Sequence, residues 1–467
     1  RLGLNWDVAG DQMTQVRGGT GLFSGRPAYV WISNQIGNTG VLIGERIVDN
    51  TTAFPFNPNP DAYKPATVTG GSATSYALNV TDPDFKFPQL WRSNIAIDRK
   101  LPGGIVSTTE YLYAKDVNGN YYINANLPAA QSAFTGIDPR PRWAGTACAA
   151  SGQPGGCVTR INNDVGNQVT AAYVLQNGNE GRSWTIAQTL AKTTTFGLSL
   201  RGAYSYGESK SIVDPESTAA TSFSRSAHHG DPNNPGVDYS LWSPGHRVFA
   251  LATYSREYFS FGGTSVSLFW EARHSTTAIN SSRVSYVFAG DMNGDTVSAN
   301  DLIYVPRDAS EMNFAAFAVG ARTFTAAEQA DAFEKLIQQD PYLRKHRGEY
   351  AGRNAVALPM LRRADLSIMQ DVFRNVAGQR NAFQIRADFF NFGNLLNSNW
   401  GVGMRPVAAL NNNNQVQILT NPGVDAQGRA NYRLALVNNE LITKSFQTSA
   451  TTSDVYQFMI SLRYSFN

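Results

Sequence analysis

VYQFMISLRYSF, residues 455–466, is the stretch whose reading decides the fold. Tyr456, Phe458, Ile460, Leu462, Tyr464 and Phe466 occupy every second position, with Gln457, Met459, Ser461, Arg463 and Ser465 between them. A period of two places one set on each face of a β-strand. One face is wholly apolar and ends in aromatic rings. The other carries an arginine, which a dry core would accept only with a partner. Apolar out and polar in over about ten residues is the pattern of a transmembrane β-barrel strand. The alternative for this strand alone is the edge of a soluble β-sandwich.

The rest of the chain repeats the pattern. Period-two stretches occur at 2–6, 13–24, 89–100, 105–116, 182–192, 196–206, 247–258, 264–273, 361–373 and 382–391. In one of them Val266, Leu268, Trp270 and Ala272 alternate with Ser267, Phe269, Glu271 and Arg273. Turns such as Leu101-Pro102-Gly103-Gly104 and Thr193-Thr194-Thr195 are short and alternate with long connections at 25–88, 126–181, 209–243, 274–359 and 392–454. Structureless connections that long argue against a compact soluble domain. Outer-membrane barrels join their strands in this way, with short periplasmic turns and long extracellular loops. The expected fold is therefore all-β, an antiparallel transmembrane barrel with about eleven spanning strands.

Composition agrees. The 467 residues carry 39 Lys+Arg against 36 Asp+Glu, a net charge of +3, which gives no global electrostatic case for nucleic acid. No run of eighteen apolar residues exists, so membrane-crossing helices are not expected. Barrels pass that test because only half of each strand meets lipid. The chain opens on Arg1-Leu2-Gly3-Leu4-Asn5-Trp6, already a strand in progress, and reads as a fragment whose beginning lies upstream.

Local motifs add expectations. Cys148 and Cys157, in TACAASGQPGGC, suit a loop disulfide in an oxidising compartment, with two free thiols as the alternative. Asp291, Asn293 and Asp295, followed by Asp301, follow the D-x-N-x-D spacing by which oxygen ligands wrap calcium. Thr296 stands where such loops want glycine, and the last acid comes early, so the alternative is an Asx-rich turn. No other cofactor is expected. Thr325-Ala326-Ala327-Glu328 has capping-box spacing, and Phe333, Leu336 and Ile337 make a helical stripe ended by Pro341, one short loop helix. His228, His229 and Asp231 read as a solvated loop, since no ligand spacing or second motif accompanies them, with a metal site as the alternative. Arg201, Glu271, Arg273, Arg386, Asp388 and Arg463 fall on the polar side of their strands and are expected to face a wet lumen and pair there. No nucleophile-base-acid order and no phosphate loop stands out, so an enzyme is not expected.

Several segments resemble a known family: 1–40 (RLGLNWDVAG through NQIGNTG), 85–104 (FKFPQLWRSNIAIDRKLPGG), 111–127 (YLYAKDVNGNYYINANL), 290–312 (GDMNGDTVSANDLIYVPRDASEM) and 388–401 (DFFNFGNLLNSNWG). They look like TonB-dependent receptors of the Oar-like subgroup. The resemblance implies that 1–467 is the C-terminal part of a 22-stranded barrel, its plug and N-terminal strands being absent. It implies uptake or export of a bulky ligand chosen by the extracellular loops. TonB would act through the absent plug region, in an outer-membrane lipid setting. The terminal strand, Tyr456 to Phe466, resembles the C-terminal signal read by the barrel assembly machinery, although Asn467 follows the last aromatic. A non-transporting outer-membrane adhesin or structural barrel is the alternative.

Overall fold

A computed structural model describes residues 1–25, 28–37, 52–64, 76–143, 160–161, 169–259, 262–373, 381–410, 414–421 and 423–466. Cys148 and Cys157 lie outside the described residues. Among the described residues, eleven strands pair antiparallel in chain order: β1 (Leu2–Asp7), β2 (Thr14–Ser24), β3 (Gln89–Leu101), β4 (Ile105–Asp116), β5 (Arg182–Thr193), β6 (Leu198–Ser211), β7 (Gly245–Tyr258), β8 (Gly262–His274), β9 (Met360–Phe373), β10 (Ala382–Phe390) and β11 (Gln457–Ser465). A two-residue segment, Asp238–Tyr239, adds to the long-loop end of β6. No helix among the described residues is long and apolar enough to cross a membrane.

Register carries the alternation across the sheet. Ile385 faces Leu462, Ala387 faces Ile460, and Phe389 faces Phe458. The same face continues through Leu268 opposite Leu366 and Ile186 opposite Tyr206 to Trp6 opposite Val16. Along this face an aliphatic band lies between two aromatic zones. Trp91, Tyr113, Trp184, Tyr206 and Trp270 stand toward the long loops, and Trp6, Tyr254, Phe383 and Tyr464 toward the short turns. A band flanked by two aromatic girdles is how a barrel meets a bilayer.

Burial points the same way. Among the apolar residues of these eleven strands only Ala96 and Ala272 are buried, while Leu462 is 67% and Ile460 61% exposed. A sheet whose apolar face has no protein against it requires another apolar medium.

The protein's own core lies in the loops. Phe134, Tyr286, Phe288, Phe333, Ile337 and Leu419 belong to one buried cluster drawn from three different long connections. Arg283–Ala289 pairs in parallel with Gln415–Thr420, and Thr135 bridges to Arg429. Val169–Gly178 pairs with Tyr76–Thr81 in parallel and with Gly119–Asn124 antiparallel. The connections are therefore folded, not structureless.

Helices need a similar correction. The described loops hold five: α1 (Tyr29–Gly37), α2 (Ala219–Ser224), α3 (Ala326–Gln339), α4 (Pro341–Lys345) and α5 (Phe392–Leu396). Only α3 is long enough to show a stripe, and its capping box is present, with the Thr325 amide donating to Glu328 at 2.8 Å. Pro341 does more than end α3. It opens α4 at the position where a missing amide costs nothing, and Asp340 accepts from the Tyr342 and Leu343 amides. Phe196, expected at the start of β6, sits in the turn before it. Gly197 there has φ 94°, and a Cβ would collide with the Ser255 carbonyl.

Leu462→Arg places a cation within the aliphatic band. It is expected to cost about 2–4 kcal/mol in denaturant unfolding from bilayers. Ser461→Arg, on the other face, is expected to change stability by less than about 0.5 kcal/mol.

Candidate functional site

The polar face of the sheet is charged, and most of its charges are tied down. Arg17 on β2 meets Asp98 on β3 at 2.7 Å, and Thr108 on β4 donates to the same carboxylate at 2.6 Å. Arg247 and Arg273, directly opposite each other on β7 and β8, share Glu271 at 2.7 and 3.2 Å. Arg363 pairs with Asp365 at 3.0 Å, and Arg386 with Asp388 at 2.9 Å. These contacts are diagonal or two residues apart on one strand, which the period-two geometry allows.

All six arginines and acids singled out in the sequence lie on this face. Glu271, Arg273, Arg386 and Asp388 are paired as expected, whereas the Arg201 and Arg463 side chains make no hydrogen bond or ion pair among the described residues. Their cross-strand neighbours explain this: Leu251 and Ala191 for Arg201, and Gln384 for Arg463, offer no acid. Arg247 was missed. Its signal was its place directly across from Arg273, with one acid between two bases.

At the long-loop end of this face a cleft of about 620 Å³ is lined by Arg247, Glu271, Arg273, Ser205, Asn280 and Trp242, among others. Two guanidiniums sharing one carboxylate leave one positive charge in excess. Together with hydroxyl, amide and indole groups, that suits polar or anionic ligand groups better than cations.

Beyond the cleft, the loop lobe holds a second, buried network. Arg140 bonds Asp138 at 3.0 Å and Asp301 at 3.4 Å, all three side chains being essentially inaccessible. Its ring neighbours are Phe288 and Tyr350, 5.0 and 5.3 Å from the guanidinium carbon. The four residues of the calcium-like loop come together here. Asp291 accepts from the Gly294 and Thr296 amides at 2.7 and 2.8 Å, Asn293 from the Asp295 amide at 2.9 Å, and Asp295 from Val297 at 2.8 Å. Asp301 accepts from the Met292 amide at 2.8 Å besides Arg140. Those contacts are Asx-type turn bonds. Among the described residues no three His, Cys, Asp or Glu side chains converge as a metal-holding group.

His228 and His229 are not the solvated loop that the sequence suggested. His228 is buried, its Nε2 3.3 Å from Asp295, and His229 stacks on Tyr350 at 4.3 Å. Burial and the neighbouring Arg140 hold His229 below the usual imidazole range. Burial and facing carboxylates push Asp291 and Asp301 above theirs, with Arg140 restraining Asp301.

The alternation, the two girdles and the charged inner face describe a membrane barrel wall, and comparison with known families agrees. Residues 1–420 match the family model of the outer membrane beta-barrel domain. The chain belongs to that family. No curated protein matches it. This outer-membrane barrel protein is accordingly placed in the bacterial outer membrane. By the general rule for such barrels its long-loop end is extracellular. The cleft and the lobe then lie on the outer side of the barrel wall.

Two outcomes follow for the lobe of this barrel. Arg140→Ala leaves Asp138 and Asp301 buried without their cation and is expected to cost about 3–5 kcal/mol locally. Hydrogen exchange in 283–305 would report it. The folded lobe also binds more protons than the unfolded chain wherever the carboxylate pKa values are raised. These two carboxylates therefore make its stability fall as pH rises from about 4 toward 8, and His229, shifted down, offsets part of that fall. Asp291→Asn should remove much of that fall, with the same exchange measurement as readout.

Proposed function

We propose that this outer-membrane barrel protein is a TonB-dependent transporter of the Oar-like type, moving a bulky ligand across the outer membrane. The observation that carries the reading is the polar face. It holds paired charges on β2–β3 and on β7–β10, with Arg201 and Arg463 uncommitted among the described residues. A wet, charged inner wall suits solute passage, and uncommitted cations suit contacts with a plug or a passing ligand. On this reading the cleft beside Arg247 and Arg273 and the lobe above it select the ligand. TonB acts on a plug region outside these residues, and the barrel assembly machinery reads the strand that ends in Tyr464 and Phe466. Fold resemblance alone would not support a transport function, because folds host many functions.

The adhesin reading has one observation of its own: the largest hydrophobic core belongs to the loops, a preformed surface that could bind without transport. The two separate in cells. Site-specific photo-crosslinking of the full-length protein should capture TonB under transport, and removal of TonB should abolish ligand entry without lowering surface binding. Intact surface display with no TonB crosslink and TonB-independent binding would sink the transporter reading in favour of the adhesin.

A further inference from the structure

Several cations border the apolar face at the strand ends, among them Lys115, Arg182, Lys210 and Arg362. Arg362 lies opposite Ala272 on β8 and two residues from Ala364, so it shares the apolar, lipid-facing side of β9, at its extracellular end. Its side chain is exposed and makes no hydrogen bond, ion pair or ring contact among the described residues. Its neighbour Arg363 points to the polar face and is held by Asp365 at 3.0 Å.

Next to Arg362 the chain builds a wall. After β10, Asn391 turns with φ 52° and its side-chain amide donates to the Gly401 and Asp454 carbonyls at 3.1 and 3.2 Å. Asn394 donates to the Ser398 and Trp400 carbonyls, both at 3.0 Å. These bonds fix α5 and the turn behind it with Leu396 66% and Trp400 56% exposed. Between this turn and β8–β9 runs a cleft of about 560 Å³. Leu268, Trp270, Phe392, Leu396 and Trp400 line it, Arg362 opens into it, and no acidic residue borders it.

We propose that this cleft seats a phosphate-bearing lipid of the outer leaflet, with its phosphate on Arg362 and the head of an acyl chain along Trp270, Leu396 and Trp400. Three observations converge on that occupant. The medium facing this side of an outer-membrane barrel is lipid, so an apolar cleft here opens to acyl chains. Of the two arginines bordering the cleft, Arg363 is held by Asp365, and Arg362 offers a guanidinium that binds phosphate oxygens through two parallel bonds. Aromatic side chains at this height mark the boundary between headgroups and hydrocarbon, where phosphate and chain meet. The stapled turn keeps the wall in place without the ligand, so little ordering accompanies binding.

The test uses the full-length protein in detergent and native mass spectrometry with three probes: dioleoyl phosphatidic acid, dioleoylglycerol and glycerol 3-phosphate. Phosphatidic acid alone should be retained, since it alone joins chain to phosphate. Arg362→Gln should lower its retention about tenfold. Arg362→Lys should keep most of it, and Trp400→Ala should weaken it while the folded barrel still resists unfolding on unheated gels. Equal retention of dioleoylglycerol would overturn the proposal in favour of a purely apolar groove. Retention of glycerol 3-phosphate would overturn it in favour of a free-phosphate site. Unchanged phosphatidic acid binding in folded Arg362→Gln, or an Arg362-dependent polypeptide in place of lipid, would overturn it as well.

Discussion

Hydrocarbon offers no partner to an amide hydrogen or a carbonyl oxygen, and the rest of this molecule follows from that constraint. Each strand from β2 to β10 has a paired neighbour on both sides, with one shift of register between Asp371 and Phe373, beside a short turn, and with Met360–Asp365 of β9 reaching past the end of β10. Once pairing is fixed, a slip by a single residue would turn every lipid-facing side chain inward. The aliphatic band and the charged face are thus two consequences of one register. β1 and β11 each have a single neighbour among the described residues, and in a bilayer their outer backbone groups require pairing too.

The same constraint separates two kinds of hydrophobic burial. Strand side chains such as Leu462 and Ile460 leave water by entering lipid, so they need no protein neighbour. Loop side chains such as Phe333 and Phe288 remain on the aqueous side and must bury one another. Charges divide similarly. Arg247, Glu271 and Arg273 sit partly exposed on a wet face, where pairing is cheap and exchangeable. Asp138, Arg140 and Asp301 are sealed inside the lobe, where pairing is compulsory.

Strands were legible in the sequence because their signal is local: residues two apart share a face, and the turns between strands carry Gly, Pro or Thr clusters. The expected stretch 105–116 and the observed β4 coincide, and 382–391 differs from β10 by one residue. The lobe was not legible, because its partners are distant. Nothing near Arg283–Ala289 announces Gln415–Thr420 as its parallel neighbour, and nothing near Asp301 announces Arg140. Helices such as α4 and α5 are too short to display a period. On the polar face the side on which a charge falls could be read from parity. Whether it finds a partner could not, since that depends on the adjacent strand, as Arg201 and Arg463 illustrate.

The composite origin of the lobe has a kinetic consequence. Its core takes Phe134 from the connection after β4, Phe333 from that after β8 and Leu419 from that after β10. The connection after β8 supplies most of it, and the other two complete it. The lobe is therefore a late event, completed only when β4 through β10 stand side by side and their loops have reached the same side of the membrane. Contacts this distant in sequence are slow to form. Bridging strands so far apart, the finished lobe acts as a clasp over the extracellular rim, resisting lateral separation of hairpins that the backbone ladders alone would hold.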